Sequence, residues 1–196
     1  MNKREMGSRQ VRAIPAELRT KREASEDPII EGYFAVFNSN YEIWDGMTES
    51  VAPGAFERSL KDGDIRALVN HDTTLVLGRT KAGTLELRED EKGLFGTIRI
   101  NPNDSAAMDL YERVSRGDVD GCSFGFNIRK EESEVLDNGD IHWTILDVDL
   151  FEVSCCTFPA YEETNIAARS KDAGAIRAGT MKAWREAMLK KLKGAE

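Results

Sequence analysis

The segment 141–155 constrains the fold most, because its pattern predicts one long β-strand. Leu146, Val148 and Leu150 alternate there with two aspartates, and β-favouring residues occupy most other positions. A period of two places the apolar side chains on one face of a strand and the aspartates on the other. A turn at Asn138-Gly139 comes just before it and predicts a hairpin with the preceding strand.

Other segments of the chain also favour strands, and they outnumber the helices. The predicted strands are 30–37, 65–69, 84–88, 93–100 and 122–129. A short helix over 53–60 begins at a proline, and a longer helix over 105–116 has Asp104 as its N-cap and Gly117 as its stop. Because hairpins connect most of the strands, we expect an α+β fold with a β-rich, mainly antiparallel core.

The net charge of −8 hides an acidic body between two basic ends. Residues 28–168 carry 12 basic and 27 acidic residues, whereas basic residues exceed acidic ones in both flanking segments. We therefore predict a flexible basic extension over 1–27, a folded domain over 28–168 and a basic amphipathic tail helix over 169–196. An acidic body does not suit the phosphate backbone, so we expect no specific nucleic-acid partner.

The sequence also argues against a membrane protein and against a metalloprotein. No apolar run approaches the roughly 20 residues that span a bilayer, and the charged first residues do not resemble a signal peptide. This predicts a cytosolic protein without a membrane partner. The three cysteines, Cys122, Cys155 and Cys156, lack metal-ligand spacing, and no phosphate-binding or dinucleotide-binding glycine pattern occurs. We therefore expect neither a metal nor a cofactor.

One short motif suggests a nucleophile. The segment Gly121-Cys122-Ser123-Phe124-Gly125 matches the G-x-S-x-G pattern of the α/β hydrolases. In those enzymes a strand precedes the serine and a helix follows it, whereas here the predicted order is reversed, which disfavours that fold. The glycines still allow a peptide backbone to approach Ser123 closely. Cys122 is the alternative nucleophile, because neighbours on a strand project to opposite faces and the sequence does not say which face holds the site.

A nucleophilic serine needs a base, which is usually histidine, and the chain has only two histidines. His71 comes at the end of a predicted apolar strand, where loop residues begin and functional groups tend to collect. His142 lies inside the long strand beside its hairpin, where a solvated or cross-strand histidine is common. The sequence therefore favours His71 as the base.

A third group should orient the imidazole of the base. Counting by two along the long strand places Glu152 on its apolar face, where a carboxylate needs a partner. That partner is His71 if Glu152 belongs to the site, or an arginine if the pairing is structural, and both alternatives stay open. Asp72, which adjoins His71 in the sequence, is the second candidate for the third group.

Several motifs follow one another at defined spacing between residues 28 and 168. They are Glu31-Gly32-Tyr33-Phe34-Ala35-Val36-Phe37, Val51-Ala52-Pro53-Gly54-Ala55-Phe56, Asn70-His71-Asp72 with Leu77-Gly78-Arg79-Thr80, Gly121-Cys122-Ser123-Phe124-Gly125-Phe126, and Glu152-Val153-Ser154 with Phe158-Pro159-Ala160-Tyr161. In this order they resemble the prohead proteases of tailed bacteriophages, which mature the capsid and are distantly similar to the herpesvirus maturation protease. Cys155-Cys156 depart from the aliphatic residues expected there.

The resemblance implies a herpesvirus-protease-like fold, with a barrel-like core and surrounding helices. It implies a serine endopeptidase with Ser123 as nucleophile, His71 as base, Glu152 at the third position, and backbone N–H groups near Gly78 and Arg79 as oxyanion candidates. The implied substrates are scaffold and major capsid protein, cleaved inside the procapsid in the host cytoplasm, with self-cleavage afterwards. The oligomeric state stays open, with a homo-oligomer among the alternatives.

Two other functions also remain open at this point. A non-catalytic capsid assembly or scaffold module could have the same fold, although scaffolds usually depend on long helical stretches that this body lacks. A thiol protease with Cys122 as nucleophile is the second alternative.

Overall fold

The computed structural model describes residues 9–15, 18–22 and 27–158, together with six isolated positions between 176 and 186. Its strands are β1 (Gln10–Pro15), β2 (Arg19–Lys21), β3 (Ile29–Val36), β4 (Tyr41–Trp44), β5 (Met47–Val51), β6 (Arg66–Val69), β7 (Asp72–Arg79), β8 (Leu85–Glu89), β9 (Gly93–Arg99), β10 (Gly121–Val135) and β11 (Ile141–Cys156). Its helices are α1 (Glu57–Asp62) and α2 (Ser105–Arg116), with a 3₁₀ turn at Thr80–Ala82.

The strands form two sheets. The larger sheet has the order β1-β10-β11-β5-β4, and β6 pairs with β11 and carries β7 beside it. The smaller sheet has the order β2-β3-β9-β8. All pairs among the described strands are antiparallel except those of β11 with β5 and with β6. The long β10–β11 hairpin is therefore the centre of the larger sheet, and every other strand of that sheet attaches to it or to a strand paired with it.

One hydrophobic core joins both sheets. Phe34 of β3, Phe56 before α1 and Phe124 of β10 are fully buried in it, and α2 adds Leu110. The rings of Phe56 and Phe124 meet edge to face with centroids 5.4 Å apart, a geometry that aromatic pairs prefer. Burial of these large side chains supplies most of the driving force for folding. A second, smaller cluster of Met47, Ile141 and Trp143 lies at the N-terminal end of β11.

The α+β class and the mainly antiparallel pairing are confirmed. Helix α2 has the predicted bounds, because the Asp104 carboxylate accepts the N–H groups of the first turn and Gly117 ends the helix at a φ of 80°. Helix α1 begins at Glu57 instead of residue 53, since residues 53–56 form turns in which Gly54 has a φ of 87°.

Other expectations need correction. The described strands do not close into a barrel, because β1 and β4 end the larger sheet and do not pair with each other. The segment 10–15, predicted to be flexible, is β1, since pairing with β10 stabilises a stretch too short to show a period. Strand β7 was not expected, and β10 continues past residue 129 to Val135.

The predicted tail helix falls mostly outside the described residues, and so does much of the N-terminal extension. The described positions of the tail are Ile176, Ala178, Gly179, Met181, Lys182 and Glu186, and each is helical. The domain boundaries remain a prediction. In the described part of the chain, no helix has the length and apolar character needed to cross a membrane.

Candidate active site

A tight turn between β6 and β7 presents His71. Val69 and Asp72 are paired, so Asn70 and His71 form a two-residue hairpin loop. Both have positive φ, 49° and 61°, as a type I′ turn requires. Asparagine and histidine adopt this left-handed conformation more readily than most residues other than glycine. The loop places the imidazole beside β11, half-buried, at the end of the larger sheet.

His71 is hydrogen-bonded to Glu152. The distance between His71 Nδ1 and Glu152 Oε1 is 2.7 Å, and the carboxylate is almost fully buried. An ionised carboxylate can only accept, so Nδ1 carries the hydrogen, and in the neutral form of the ring Nε2 is an acceptor. Asp72, the other candidate for the third group, instead accepts from the backbone and hydroxyl of Thr74. Of the two candidates, the structure therefore brings only Glu152 to His71.

Two further groups hold the Glu152 carboxylate. The Ser154 hydroxyl donates to Oε2 at 2.7 Å, and its oxygen accepts the backbone N–H of His71 at 3.2 Å. Arg9 donates to Oε1 at 2.8 Å. The sequence left a histidine and an arginine as alternative partners of Glu152, and the carboxylate has both. Sequence reasoning missed Ser154, which ties the backbone of the base to the side chain that orients it.

These contacts outweigh the cost of burying the carboxylate. Burial alone raises the pKa of Glu152, but the hydrogen bond and charge of His71, with smaller contributions from Ser154 and Arg9, hold that pKa below its ordinary value of 4.5. Glu152 is therefore ionised at neutral pH.

A β-bulge determines the face on which Glu152 lies. Gly125 pairs with Glu152 and Phe126 pairs with Leu150, so Phe151 is an extra residue on β11. After the bulge, Val153 and Cys155 belong to the hydrophobic core together with Leu150. The prediction that Glu152 lies on the apolar face of the strand is therefore wrong, because the bulge turns Glu152 away from the core. The inference that this carboxylate needs a partner is confirmed by its contacts.

Ser123 lies on β10 directly opposite Ser154. Side chains of such cross-strand pairs have Cβ atoms about 5 Å apart, so Ser123 neighbours the residue that contacts both His71 and Glu152. The Ser123 hydroxyl is fully buried and donates to the backbone oxygen of Arg12 in β1 at 2.7 Å. It makes no hydrogen bond to His71 in this arrangement.

A sulfur atom lies beside the other ring nitrogen of His71. Cys156 Sγ lies 3.7 Å from His71 Nε2, on the same face of β11 as Glu152 and Ser154. Burial, followed by the neighbouring Glu152 carboxylate, raises the pKa of Cys156 to about 12. The thiol is therefore neutral at pH 7 and is not activated for nucleophilic attack. Its place in the site was not anticipated, although the spacing 152, 154, 156 is a period-two signal.

Cys122 and His142 lie outside this group of residues. Cys122 faces the hydrophobic core, opposite to Ser123, and burial raises the pKa of its thiol well above the ordinary value. The ring nitrogens of His142 are each 2.8 Å from a hydroxyl oxygen, those of Thr48 and Ser50. This satisfied histidine is at the opposite end of β11 from Glu152, so the preference for His71 agrees with the geometry.

The structure does not bring Gly78 and Arg79 to Ser123. Strands β6 and β11 separate β7 from β10, a distance of about 14 Å at normal strand spacing. The backbone N–H of Arg79 donates to Thr84 Oγ1, and its guanidinium pairs with Asp64. The expectation that these two residues supply the oxyanion hole is therefore not supported.

Residues 15–177 match the family described as Caudovirus prohead serine protease. The chain belongs to this family. The prohead protease of Enterobacteria phage HK97 is 36% identical over 143 residues, which are 71% of this chain and 59% of that protein. The chain thus matches less than two thirds of the length of this prohead protease. The solved capsid assembly protease of bacteriophage T4 is 12% identical with a TM-score of 0.42, over 75% of this chain and 98% of that one.

In this prohead protease family member, the ionised Glu152 should stabilise the fold in a pH-dependent manner. A carboxylate whose folded-state pKa lies below 4.5 contributes stability above that pH and loses it as the pH falls through the folded value. We expect Glu152→Gln to lower the free energy of unfolding by about 1.5–3 kcal/mol at pH 7, measured with urea. The difference from the parent should shrink below pH 4.5, whereas a constant difference would contradict this account. Glu86→Gln, at an exposed site, is the control.

Gly125 is predicted to be required for the same carboxylate. A Cβ at this position would lie 2.1 Å from Glu152 Oε1, so Gly125→Ala must displace the carboxylate from His71, Ser154 and Arg9. We expect a loss of about 1–3 kcal/mol in the free energy of unfolding. In a Glu152→Ala background the obstructing carboxylate is gone and only the Arg9 side chain, with Nε at 3.2 Å, stays close, so the same substitution should cost much less. Equal costs in the two backgrounds would show that no such coupling exists.

Proposed function

We propose that this chain is a serine endopeptidase of phage capsid maturation, with Ser123 as nucleophile, His71 as base and Glu152 as the group that orients the base. The observation that supports this most is the hydrogen bond between His71 Nδ1 and the buried Glu152. Both residues contact Ser154, which is the cross-strand partner of Ser123. Family membership and the match to a relative named prohead protease give the reaction class its context.

The proposed reaction follows the usual acyl-enzyme course. Ser123 turns its hydroxyl from the Arg12 carbonyl toward His71 Nε2, which accepts the proton as Ser123 Oγ attacks the scissile carbonyl carbon. Glu152 stabilises the imidazolium that forms. The imidazolium then gives the proton to the leaving amine, and water hydrolyses the acyl-enzyme with His71 again acting as base.

The finer parts of the proposal come from the family resemblance. We extend it to scaffold and major capsid protein as substrates, to action inside the procapsid in the host cytoplasm, and to self-cleavage. A herpesvirus-protease-like fold and a homo-oligomeric state are proposed on the same family resemblance.

The serine assignment is tested by removing one hydroxyl. We expect Ser123→Ala to fold normally and to leave capsid protein uncleaved, because the other nucleophilic group that the structure describes beside His71, the Cys156 thiol, is neutral at pH 7. The measurement is the mass of co-expressed capsid protein and of the chain itself. Ser133→Ala, at an exposed position of the same strand, and Cys122→Ser should process normally. Normal processing by Ser123→Ala would overturn the proposal.

Ser154 is predicted to be a positioning residue in this mechanism. Its hydroxyl fixes both the Glu152 carboxylate and the backbone of His71, so Ser154→Ala should misplace the base. We expect kcat to fall on the order of 10- to 100-fold while KM changes little, in steady-state peptide cleavage. The matched control is Ser59→Ala, which removes another buried hydroxyl, bonded to the Val148 oxygen at 2.7 Å. Equal losses of kcat in the two variants would indicate a general loss of stability instead.

A further inference from the structure

Strand β1 covers the candidate nucleophile. It lies along the edge of β10, antiparallel, from Gln10 opposite Phe126 to Pro15 opposite Gly121. Within this pairing the Ser123 hydroxyl donates to the carbonyl oxygen of Arg12. The peptide group between Arg12 and Ala13 is therefore the part of β1 that adjoins the nucleophile.

The side chain of Arg12 enters a buried acidic site. Its Nε and one terminal nitrogen contact the two carboxylate oxygens of Glu49 at 2.5 and 3.1 Å, and Glu49 is fully buried. The guanidinium also donates to the Val11 oxygen and to Gln10 Oε1, and it lies 5.7 Å from the centre of the Phe126 ring. A two-pronged contact of this kind matches the planar fork of arginine.

Peptides in extended conformation bind proteins by adding a strand to a sheet edge. Main-chain hydrogen bonds then give affinity, and pockets for the side chains give selectivity. Strand β1 has both features within the chain, since it pairs with β10 and inserts one charged side chain into a fitted pocket. The carbonyl that contacts Ser123 Oγ belongs to the same residue whose side chain fills that pocket.

We propose that β1 occupies the place of a peptide substrate, and that Glu49 forms the subsite for an arginine immediately before the scissile bond. This inference rests on the proposed function. A substrate strand displaces β1, and its arginine replaces Arg12 on Glu49. An apolar side chain there would remove the two-pronged arginine contact from a buried carboxylate, which is unfavourable.

The reaction at this site balances as an ordinary hydrolysis. The C–N bond after the arginine breaks, and the arginine carbonyl carbon becomes bonded to Ser123 Oγ. The leaving amine takes the proton that His71 received from the serine. Water then supplies the hydroxyl of the new carboxyl terminus and returns a proton to Ser123. Glu49 takes no part in the bond changes and acts only on substrate selection.

The test compares two peptides on the full-length chain. One has the sequence of residues 9–18, and the other has leucine at the position of Arg12. We expect kcat/KM for the arginine peptide to exceed that for the leucine peptide by roughly 100-fold or more. Mass spectrometry of the products should show cleavage after the residue that corresponds to Arg12. Glu49→Gln should reduce this ratio below about 10-fold, and Glu86→Gln, from an exposed arginine pair, should keep it. A ratio near one, or a ratio unchanged in Glu49→Gln, would overturn the inference.

A binding measurement separates this inference from the proposed activity. Fluorescence anisotropy with Ser123→Ala should show tighter binding of the labelled arginine peptide than of the leucine peptide. If neither peptide is cleaved but this difference in Kd is found, the proposed activity fails and the subsite stands. If both peptides are cleaved and bind equally, the subsite fails and the activity stands.

A second variant covers the case in which Glu49→Gln does not fold. Arg12→Ala removes the internal occupant of the subsite and weakens the competition between β1 and an added peptide. In the Ser123→Ala background, it should lower the Kd of the arginine peptide about 10-fold, because more of the protein is open to binding. An unchanged or higher Kd would count against the inference.

Discussion

The buried carboxylate of Glu152 sets the geometry of the whole candidate site. A charge in the protein interior is tolerated only when other groups compensate for the lost hydration, and here His71, Ser154 and Arg9 do so together. These three partners come from a hairpin turn, from β11 itself and from the residue before β1. Glu152 therefore links parts of the chain that are far apart in sequence. Any change that moves its carboxylate must alter the position of the imidazole as well.

The bulge at Phe151 explains how one strand serves both the core and the site. Before it, Val148 and Leu150 pack into the hydrophobic core, and after it Val153 and Cys155 do so. Residues 152, 154 and 156, which alternate with Val153 and Cys155, consequently share the other face. An uninterrupted strand would have turned Glu152 into the core, where it would find no imidazole. The extra residue thus allows a single strand to place its apolar side chains in the core and residues 152, 154 and 156 at the candidate site.

The sequence predicted what local signals determine. The cap at Asp104 and the stop at Gly117 defined a helix, and the small number of histidines narrowed the search for a base. What it missed depends on tertiary pairing. The bulge at Phe151 is invisible in the sequence, because bulges arise from how two strands are matched. Gly78 and Arg79 were placed near the site by motif resemblance, without knowledge that two strands would lie between them and Ser123.

The burial of Ser123 is consistent with its proposed role once β1 is considered. A hydroxyl that donates to the Arg12 carbonyl and is closed to solvent cannot meet a substrate, so in the proposed mechanism this arrangement is a resting one. Opening it requires β1 to leave β10 and Arg12 to leave Glu49, which would remove the arginine contact from a buried carboxylate. An incoming strand with its own arginine restores that pair as it binds. The same carboxylate would then keep the site closed without substrate and select the substrate that opens it.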